Sequence, residues 1–409
     1  MIQAQKGTKD ILPDEVSNWQ KMESIAQNVF SKANFKEIRT PIFEATELFA
    51  RGVGDSTDIV NKEMYTFEKS ERSLTLRPEN TAGVVRAYIE HGFSRLPQPV
   101  KLWYKGPMFR YERPQAGRQR QFHQVGVEMF GTKEPSADAE VINLAVKYLN
   151  ELGLNNLDIE INSLGCPECR KNYRAAIKEV LKPYLKDLCE DCNFRYEKNP
   201  LRILDCKVDS CKAIFKKEEI QKVILGDFIC DECREHFEKV KEYLSALQIP
   251  YTVNKLLVRG LDYYNRTVFE IKSNNLGSQN AVCGGGRYDS LVETLGGVQT
   301  PAVGWAMGME RLNSLISKPE NERLDVFVVA ENMTETFKIM EELRNAGFSA
   351  EFDYANRKFK KQLDKAAKSA KYALILMDDE INSGTVTLKN LDTSEQVNVS
   401  RSNYLENIK

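Results

Sequence analysis

The sequence lacks the features that would send a chain into a membrane or bind it along its whole length to a polyanion. It has no long apolar run: stretches such as Tyr372 to Met377 fall far short of the roughly 20 residues that a spanning helix requires. The opening MIQAQKGTKDILP holds no apolar segment of the kind that marks a secretory signal. Neither charge is in excess, since 58 Lys and Arg against 59 Asp and Glu leave a formal net charge of -1. A nucleic-acid partner must therefore be met by local basic patches. Internal repeats and low-complexity tracts are missing too, which speaks against a solenoid or a long disordered tail. These absences lead us to expect a cytosolic protein, in which nine cysteines are not expected to pair as disulfides.

What is present is an ordinary globular composition, 42% apolar and 29% charged over 409 residues, enough for two to four domains. Pro13-Asp14-Glu15 opens a helix to about Asn34, with Val16, Trp19, Met22, Ile25, Ala26, Val29 and Phe30 at helical spacing. Phe35 to Glu44 reads as extended, and Pro41 confines it to an edge or a bulge. Such an edge can pair with a second copy of the chain. Leu74 to Thr81 reads as a strand ending in a polar turn. Val100 to Phe109 and Phe122 to Phe130 read as antiparallel strands. A helix over about Ala137 to Leu152 and a strand over Leu157 to Ser163 follow. From Cys166 to His236 the composition changes: eight of the nine cysteines lie here, with little strand pattern, as in an inserted module. The earlier pattern resumes near Tyr251 and runs to Ile316, and Lys318 to Arg323 is a polar linker. Beyond it lies a small α/β domain: strand Leu324–Ala330, helix Thr334–Ala346, strand Ala350–Phe352, helix Arg357–Ala370, strand Ala373–Met377 and a hairpin-like pair over Thr385–Asn398.

Two segments describe a site for a small polar ligand. Leu257 to Ile271 reads LVRGLDYYNRTVFEI and sets Arg259, Asp262, Tyr263 and Tyr264 between β-prone runs. Cys283-Gly-Gly-Gly-Arg-Tyr-Asp289 reads as a glycine turn that lets ligand and backbone approach, with Cys283 in the wall. A third segment, Arg110 to Gln121, packs four arginines and one acid into a hairpin connection. These cations repel one another unless an anion sits among them. Arg110, at the strand end, suits a phosphate, and Arg113, Arg118 and Arg120 lie further out for a second polyanion. The bland alternative is a solvated hairpin around Glu112. Pro301 to Leu312 is a glycine-studded strand running into a helix that carries Glu310 and Arg311, suited to close packing on a nucleotide or simply to strand–helix packing. Arg357, Lys358, Lys360, Lys361, Lys365, Lys368 and Lys371 face only Asp364, which fits either phosphate contact or a solubilising helix. The pairs Cys166/Cys169, Cys189/Cys192, Cys206/Cys211 and Cys230/Cys233 read as zinc ligands, in two four-cysteine sites or one with spare pairs. Idle thiols are the alternative.

The Leu257–Ile271 and Cys283–Asp289 segments resemble the two signature blocks of the histidyl-tRNA synthetases. The segments around Pro41, Arg110–Gln121 and Pro301–Leu312 resemble the three motifs of class II synthetases, and the likeness covers the whole chain. It implies an α+β fold: a class II antiparallel sheet of six or seven strands flanked by helices, dimeric through the first motif. The implied layout is a catalytic core in two parts (1–165 and 237–320), a cysteine-rich insertion (166–236) and a C-terminal α/β anticodon-binding domain (324–409). The implied activity is that of a histidine–tRNA ligase. L-histidine is activated by ATP with Mg²⁺, pyrophosphate leaves, and the histidyl group passes to the 3′ end of histidine tRNA.

Residue by residue, the resemblance puts Arg110 on the α-phosphate and Arg311 on the triphosphate, with Arg259 where other class II enzymes use a metal ion. Glu79 and Thr81 take the ammonium, and Gln124 bridges ammonium and carboxylate. Glu128 and Tyr264 take opposite imidazole nitrogens beside Tyr263, and Arg113, Arg118 and Arg120 meet the acceptor end of the tRNA. The matched strings are Arg77-Pro-Glu-Asn-Thr81, Gln124-Val-Gly-Val-Glu128 and Tyr263-Tyr264. The attacking carboxylate is already ionised, so the site must supply fixed positive charge and no general base. Zinc is not needed by the family's chemistry. One alternative is the synthetase-like, catalytically idle regulatory subunit of ATP phosphoribosyltransferase, which typically lacks the C-terminal domain and has eroded histidine blocks. Another is a zinc-stabilised RNA-binding protein that has lost activation, against which Arg110, Arg259 and Arg311 argue.

Overall fold

A computed structural model describes residues 1–54, 57–115, 117–273, 280–317 and 323–408 of the chain. Lys318 to Glu322, most of the expected linker, lie outside the described residues. The chain divides into two compact units, Met1–Lys318 and Pro319–Lys409.

The first unit opens with helix α1 (Pro13–Lys32). Proline in its first turn gives up no helical hydrogen bond, and Asp14 and Glu15 face the positive end of the helix dipole. Trp19, Met22, Ala26, Val29 and Phe30 are buried, one apolar stripe at the spacing the sequence shows. The chain then makes β1 (Lys36–Glu37), β2 (Phe43–Ala45), α2 (Thr46–Val53), β3 (Tyr65–Lys69), β4 (Arg72–Leu76) and α3 (Thr81–Glu90). β2, β4 and β3 form a small separate sheet. β5 (Val100–Phe109) and β6 (Gln121–Phe130) form a long hairpin, Val100 opposite Phe130 and Phe109 opposite Gln121. After α4 (Pro135–Glu151) and β7 (Leu157–Ser163) come five helices: α5 (Pro167–Leu181), α6 (Glu190–Lys198), α7 (Asp209–Phe215), α8 (Glu218–Ile224) and α9 (Asp231–Ala246). The unit closes with β8 (Thr252–Val253), β9 (Asn265–Ser273), β10 (Ala281–Arg287), the single turn α10 (Leu291–Thr294), β11 (Ala302–Gly308) and α11 (Met309–Leu315).

Among the described residues the main sheet has eight strands, ordered β1-β5-β6-β11-β10-β9-β7-β8. The six central strands run antiparallel, but β1 pairs with β5 and β8 with β7 in parallel. The expected six or seven antiparallel strands are therefore two parallel edges short. A two-residue strand carries no alternation to read.

Side chains alternate across the sheet, so each strand presents one set of residues to each face. One face carries Trp103, Val125, Val127, Phe269, Ile271, Val303, Trp305 and Met307 into a single core with α1 and α4. The second half of α9 (Phe237, Val240, Leu244) buries itself in that same core, so the cysteine-rich stretch ends inside the main fold. Cys283 is buried there as well.

The second unit is a five-stranded sheet ordered β13-β12-β14-β15-β16: β12 (Leu324–Ala330), β13 (Ala350–Phe352), β14 (Ala370–Leu376), β15 (Thr385–Asn390) and β16 (Gln396–Ser400). β13, β12 and β14 are parallel, while β15 and β16 add antiparallel. Helices α12 (Met333–Asn345), α13 (Phe359–Ser369) and α14 (Asp378–Ser383) complete it. β12 is buried on both faces, Val326 and Val328 in one cluster and Phe327 and Val329 in another. No helix among the described residues is long and apolar enough to cross a membrane.

Candidate active site

The middle of the other face of the main sheet is nearly bare, while its flanks carry a second core with Leu102, Tyr104, Val268 and Ala302. Gly284 and Gly286 on β10, Gly304, Ala306 and Gly308 on β11, and Gly126 on β6 share that middle with Glu270, Gln124 and Glu128. The expected glycine turn at 284–286 is thus the middle of a strand, because space is needed above the sheet and not a reversal of the chain. A Cβ on Gly284 would lie 1.7 Å from Arg259 Nη2, and one on Gly304 would lie 1.8 Å from Glu128 Oε2. Glycine makes room for both side chains on the sheet.

Over this floor opens a cavity of about 310 Å³. Arg110, Arg259 and Arg311, from three distant segments, all line it, together with Glu79, Thr81, Gln124, Tyr263 and Tyr264. Each arginine is held by protein oxygens. Arg110 donates from Nε to Pro78 O at 2.8 Å and lies over the Phe122 ring. Arg311 donates to Ala281 O at 2.5 Å. Arg259 donates to Glu270 Oε2 at 2.7 Å, so its carboxylate partner is Glu270 and not the nearby Asp262. Burial and the nearby Arg118 lower the pKa of Arg311, against the opposing pull of Glu112 and Glu270.

The histidine-type residues lie together, although Glu128 meets the lining residue Thr81 and does not itself line the cavity. Glu79 is buried and accepts from the backbone N–H groups of Thr81 and Ala82 at 2.7 and 2.9 Å, capping α3. Burial raises its pKa, and those amide bonds oppose the rise. Glu128 is 1% exposed, which excludes the reading of a solvent-facing strand carboxylate. It accepts from Thr81 Oγ1 at 2.7 Å, from Tyr104 at 3.5 Å and from the Tyr288 hydroxyl. Burial pushes its pKa up to about 8 despite these donors. Tyr263 and Tyr264 are buried side by side, ring centroids 4.6 Å apart. Two buried polar atoms on this floor, Gln124 Oε1 and Arg259 Nε, have no partner among the described residues. Orphaned polar groups at a cavity are where a polar ligand is expected to bind.

The loop arginines do not all lie outside. Arg118 lines the cavity and pairs with Glu112 at 3.1 Å, whereas Arg113 is exposed and Arg120 stacks on the Tyr111 ring at 3.9 Å. Sequence reasoning left several neighbours without roles. Glu270 steers Arg259, and Tyr288 and Tyr104 hold Glu128. Glu310 accepts from the His123 backbone N–H at 2.9 Å, tying the Arg311 helix to β6. Arg77 is buried and donates to Pro107 O and to Thr40, joining the segment before Pro41 to the cavity wall. Arg287 is a strut: it is fully buried on Asp138, reaches Asp289 at 3.1 Å and does not line the cavity. Glu270, Tyr288 and Arg287 all stand inside the two signature segments, but their direction depends on strand register. The eight insertion cysteines gather into two groups of four, Cys166, Cys169, Cys230, Cys233 and Cys189, Cys192, Cys206, Cys211.

Known proteins resemble this chain in sequence and fold. The sequence pattern of the family described as Histidyl-tRNA synthetase matches residues 7–312, and that of the Anticodon binding domain matches residues 321–409. The histidine–tRNA ligase of Halothermothrix orenii is 50% identical over 415 residues, covering 99% of this chain and 98% of that one. That of Caldanaerobacter subterraneus subsp. tengcongensis is 49% identical over 409 residues, covering 98% and 97%. The crystal structure of apo S. aureus histidyl-tRNA synthetase superposes with a TM-score of 0.83 at 38% identity, each chain covered in full. An ATP phosphoribosyltransferase regulatory subunit/histidyl-tRNA synthetase from Bacillus halodurans shares the fold, with a TM-score of 0.67 at 20% identity over 92% of this chain and 98% of that one. On the strength of matches that span it from end to end, this chain belongs to the histidyl-tRNA synthetase family.

Proposed function

We propose that this protein is a histidine–tRNA ligase that makes histidyl-adenylate in the cavity over β9, β10, β11 and β6. The observation that carries this is the convergence of Arg110, Arg259 and Arg311 on one cavity that Glu79, Thr81, Gln124, Tyr263 and Tyr264 also line. The histidine carboxylate attacks the α-phosphorus of Mg²⁺–ATP and pyrophosphate leaves. Charge grows on the phosphoryl oxygens, and prearranged guanidinium groups stabilise it more in the transition state than in the ground state. Arg259, fixed by Glu270, serves the α-phosphate and the histidine carboxylate. Arg110 holds the α-phosphate from the other side, and Arg311 holds the triphosphate. Glu79 and Thr81 accept from the ammonium, and Gln124 Oε1 gains the partner it lacks. The imidazole lies between Glu128 and Tyr264. An apolar analogue would offer that carboxyl and hydroxyl no hydrogen bond, which is a basis for rejection.

The histidyl group then passes to the 3′ end of histidine tRNA. Arg113 and Arg120, on the outer part of the loop, and Arg118 at its mouth would meet the acceptor end, and residues 324–409 would hold the anticodon. Residues 1–165 and 237–320 form the catalytic core in this reading, with 166–236 as an insertion stabilised by zinc. The short free edge β1, next to exposed Ile42 and Phe43, supports a homodimer through this face. The protein acts in the cytoplasm in this reading. The intact C-terminal domain and the three arginines disfavour an idle regulatory subunit. Histidine-dependent ATP–pyrophosphate exchange followed by charging of histidine tRNA is the expected result. Exchange without charging would reduce the protein to a histidine-activating enzyme, and no exchange would end the proposal.

A further inference from the structure

The two cysteine groups have the geometry of metal sites. In each, all four sulfurs lie within 4.8 Å of one another. Cys166 and Cys169 Sγ are 3.5 Å apart, and Cys189 and Cys206 Sγ 3.8 Å. A tetrahedral ion with metal–sulfur bonds of about 2.3 Å has edges of about 3.8 Å, whereas a disulfide brings its sulfurs to about 2.05 Å. Backbone N–H groups already point at the sulfurs, as they do around bound thiolates. Cys166 donates to Cys233 Sγ at 3.2 Å and Cys230 to Cys169 Sγ at 3.1 Å, a reciprocal pair, and Cys189 donates to Cys211 Sγ at 3.3 Å. Tetrahedral four-sulfur sets select zinc or iron.

The groups differ in what they hold. Cys166 and Cys230 cap α5 and α9, the first and last helices of the insertion. The residues beside these cysteines grip the 262–266 loop. Arg170 donates to Tyr264 O at 2.7 Å and to Asp262 O at 3.3 Å. Glu232 accepts from Arg266 Nη2 at 2.6 Å, and the Arg266 backbone pairs with Gly165 O and Leu164 N at 2.8 and 2.7 Å. Arg266 is held at φ 46°, a left-handed conformation that an arginine rarely adopts unaided. Gly165 has no room for a side chain, since a Cβ would lie 2.4 Å from Cys169 Cβ. Tyr263 and Tyr264, whose rings line the cavity, belong to this gripped loop. The second group reaches the segment beside the cavity through the half-buried pairs of Arg195 and Arg202 with Asp58, at 3.2 and 3.3 Å, and through the exposed pair of Lys62 and Asp191, a link of the kind that contributes little. Asn199 adds one bond to the Asp262 side chain at 2.6 Å.

We propose that each group binds one Zn²⁺, and that the ion at Cys166, Cys169, Cys230 and Cys233 positions Tyr263 and Tyr264 for histidine, while the ion at Cys189, Cys192, Cys206 and Cys211 stabilises the insertion alone. The positioning half rests on the ligase reading, and the metal half does not. The test uses the full-length protein, its Cys169→Ser, Cys211→Ser and Arg170→Ala variants, elemental analysis and exchange kinetics. Wild type should carry two zinc ions per chain, each cysteine variant one, and Arg170→Ala two. Cys169→Ser and Arg170→Ala should raise KM for histidine about tenfold, the low end of what such supporting residues do, with KM for ATP and kcat within about threefold. Cys211→Ser should leave KM for histidine within about threefold. Iron, no metal or a single ion in the wild type would overturn the two-zinc assignment. An unchanged histidine KM in Arg170→Ala would overturn the positioning role, even if Cys169→Ser fails to fold. Two zinc ions in a protein without histidine-dependent exchange would uphold the metal sites and sink the ligase reading separately.

Discussion

Two sets of cations stand out: Arg110, Arg118, Arg259 and Arg311 in the catalytic unit, and the seven from Arg357 to Lys371 in the C-terminal unit. The fold treats them differently. The four arginines come from three distant segments, Arg110 and Arg118 sharing one, and line one cavity, where burial lowers the pKa of Arg311. The C-terminal set is close in sequence: α13 carries Lys360, Lys361, Lys365 and Lys368 and fans them out at 3.6 residues per turn, while Arg357 and Lys358 precede it and Lys371 lies on β14. Three of its members meet carboxylates that lie outside the run: Arg357 with Asp353, Lys365 with Glu351 and Lys371 with Asp325, each at 2.8 Å. The run facing only Asp364 is therefore partly neutralised by the fold, while Lys358, Lys360, Lys361 and Lys368 are exposed. Local density of charge is a weak indicator of a site. Convergence of charges that are distant in sequence is a strong one.

The sharpest break in this comparison is Arg259→Ala. It should cut the kcat of ATP–pyrophosphate exchange by about 10³, the upper range for losing one prearranged donor, with histidine binding still measurable by calorimetry. Near-native turnover would remove Arg259 from the chemistry. Gly284→Ala should follow with a loss of about 10², the scale for displacing a reacting group by an ångström, because its Cβ takes the place of Arg259 Nη2. Full exchange activity in that variant would show that the bare floor is not needed to seat the arginine.

A pH profile should separate the histidine end of the cavity. Free histidine loses its ring proton near pH 6.5, and Glu128 in the empty site loses its proton near pH 8. The bound ring and carboxyl keep one proton between them. Below about 6.5 the separate partners hold two, so binding releases a proton and tightens as pH rises. Above about 8 they hold none, so binding takes up a proton and weakens as pH rises. KM for histidine should be lowest between these values, and Glu128→Gln should lose the part of the alkaline rise that Glu128 contributes. An identical alkaline limb in the variant would assign it to another group. The smallest effect belongs to the C-terminal unit: Lys358, Lys360 and Lys361 changed together to Ala should raise KM for tRNA a few-fold and flatten its salt dependence. Exchange should not change, and a loss of exchange would contradict the division of labour.

Much of this was legible because it rests on local pattern. The long central strands, the helical stripe of α1 and the small C-terminal unit all show their period in the residues, and strand ends fell within a few positions. What escaped depends on contacts across the fold. β1 and β8 are too short to show a period. Gly284 to Gly286 read as a turn because glycine is ambiguous between bending a chain and clearing space above it. Arg118 turned inward and Arg259 chose Glu270 over Asp262 because register decides which side chains meet. The cysteine spacing left open two four-cysteine sites or one with spare pairs, and which pairs combine follows only from α5 and α9 starting side by side.

The most direct test is a crystal structure with a non-hydrolysable histidyl-adenylate analogue. The imidazole should lie between Glu128 and Tyr264, with Arg110 and Arg259 at the oxygens that replace the α-phosphate and Arg311 beside the site vacated by pyrophosphate. A ring bound elsewhere, or Arg259 turned away from those oxygens, would contradict the proposed chemistry.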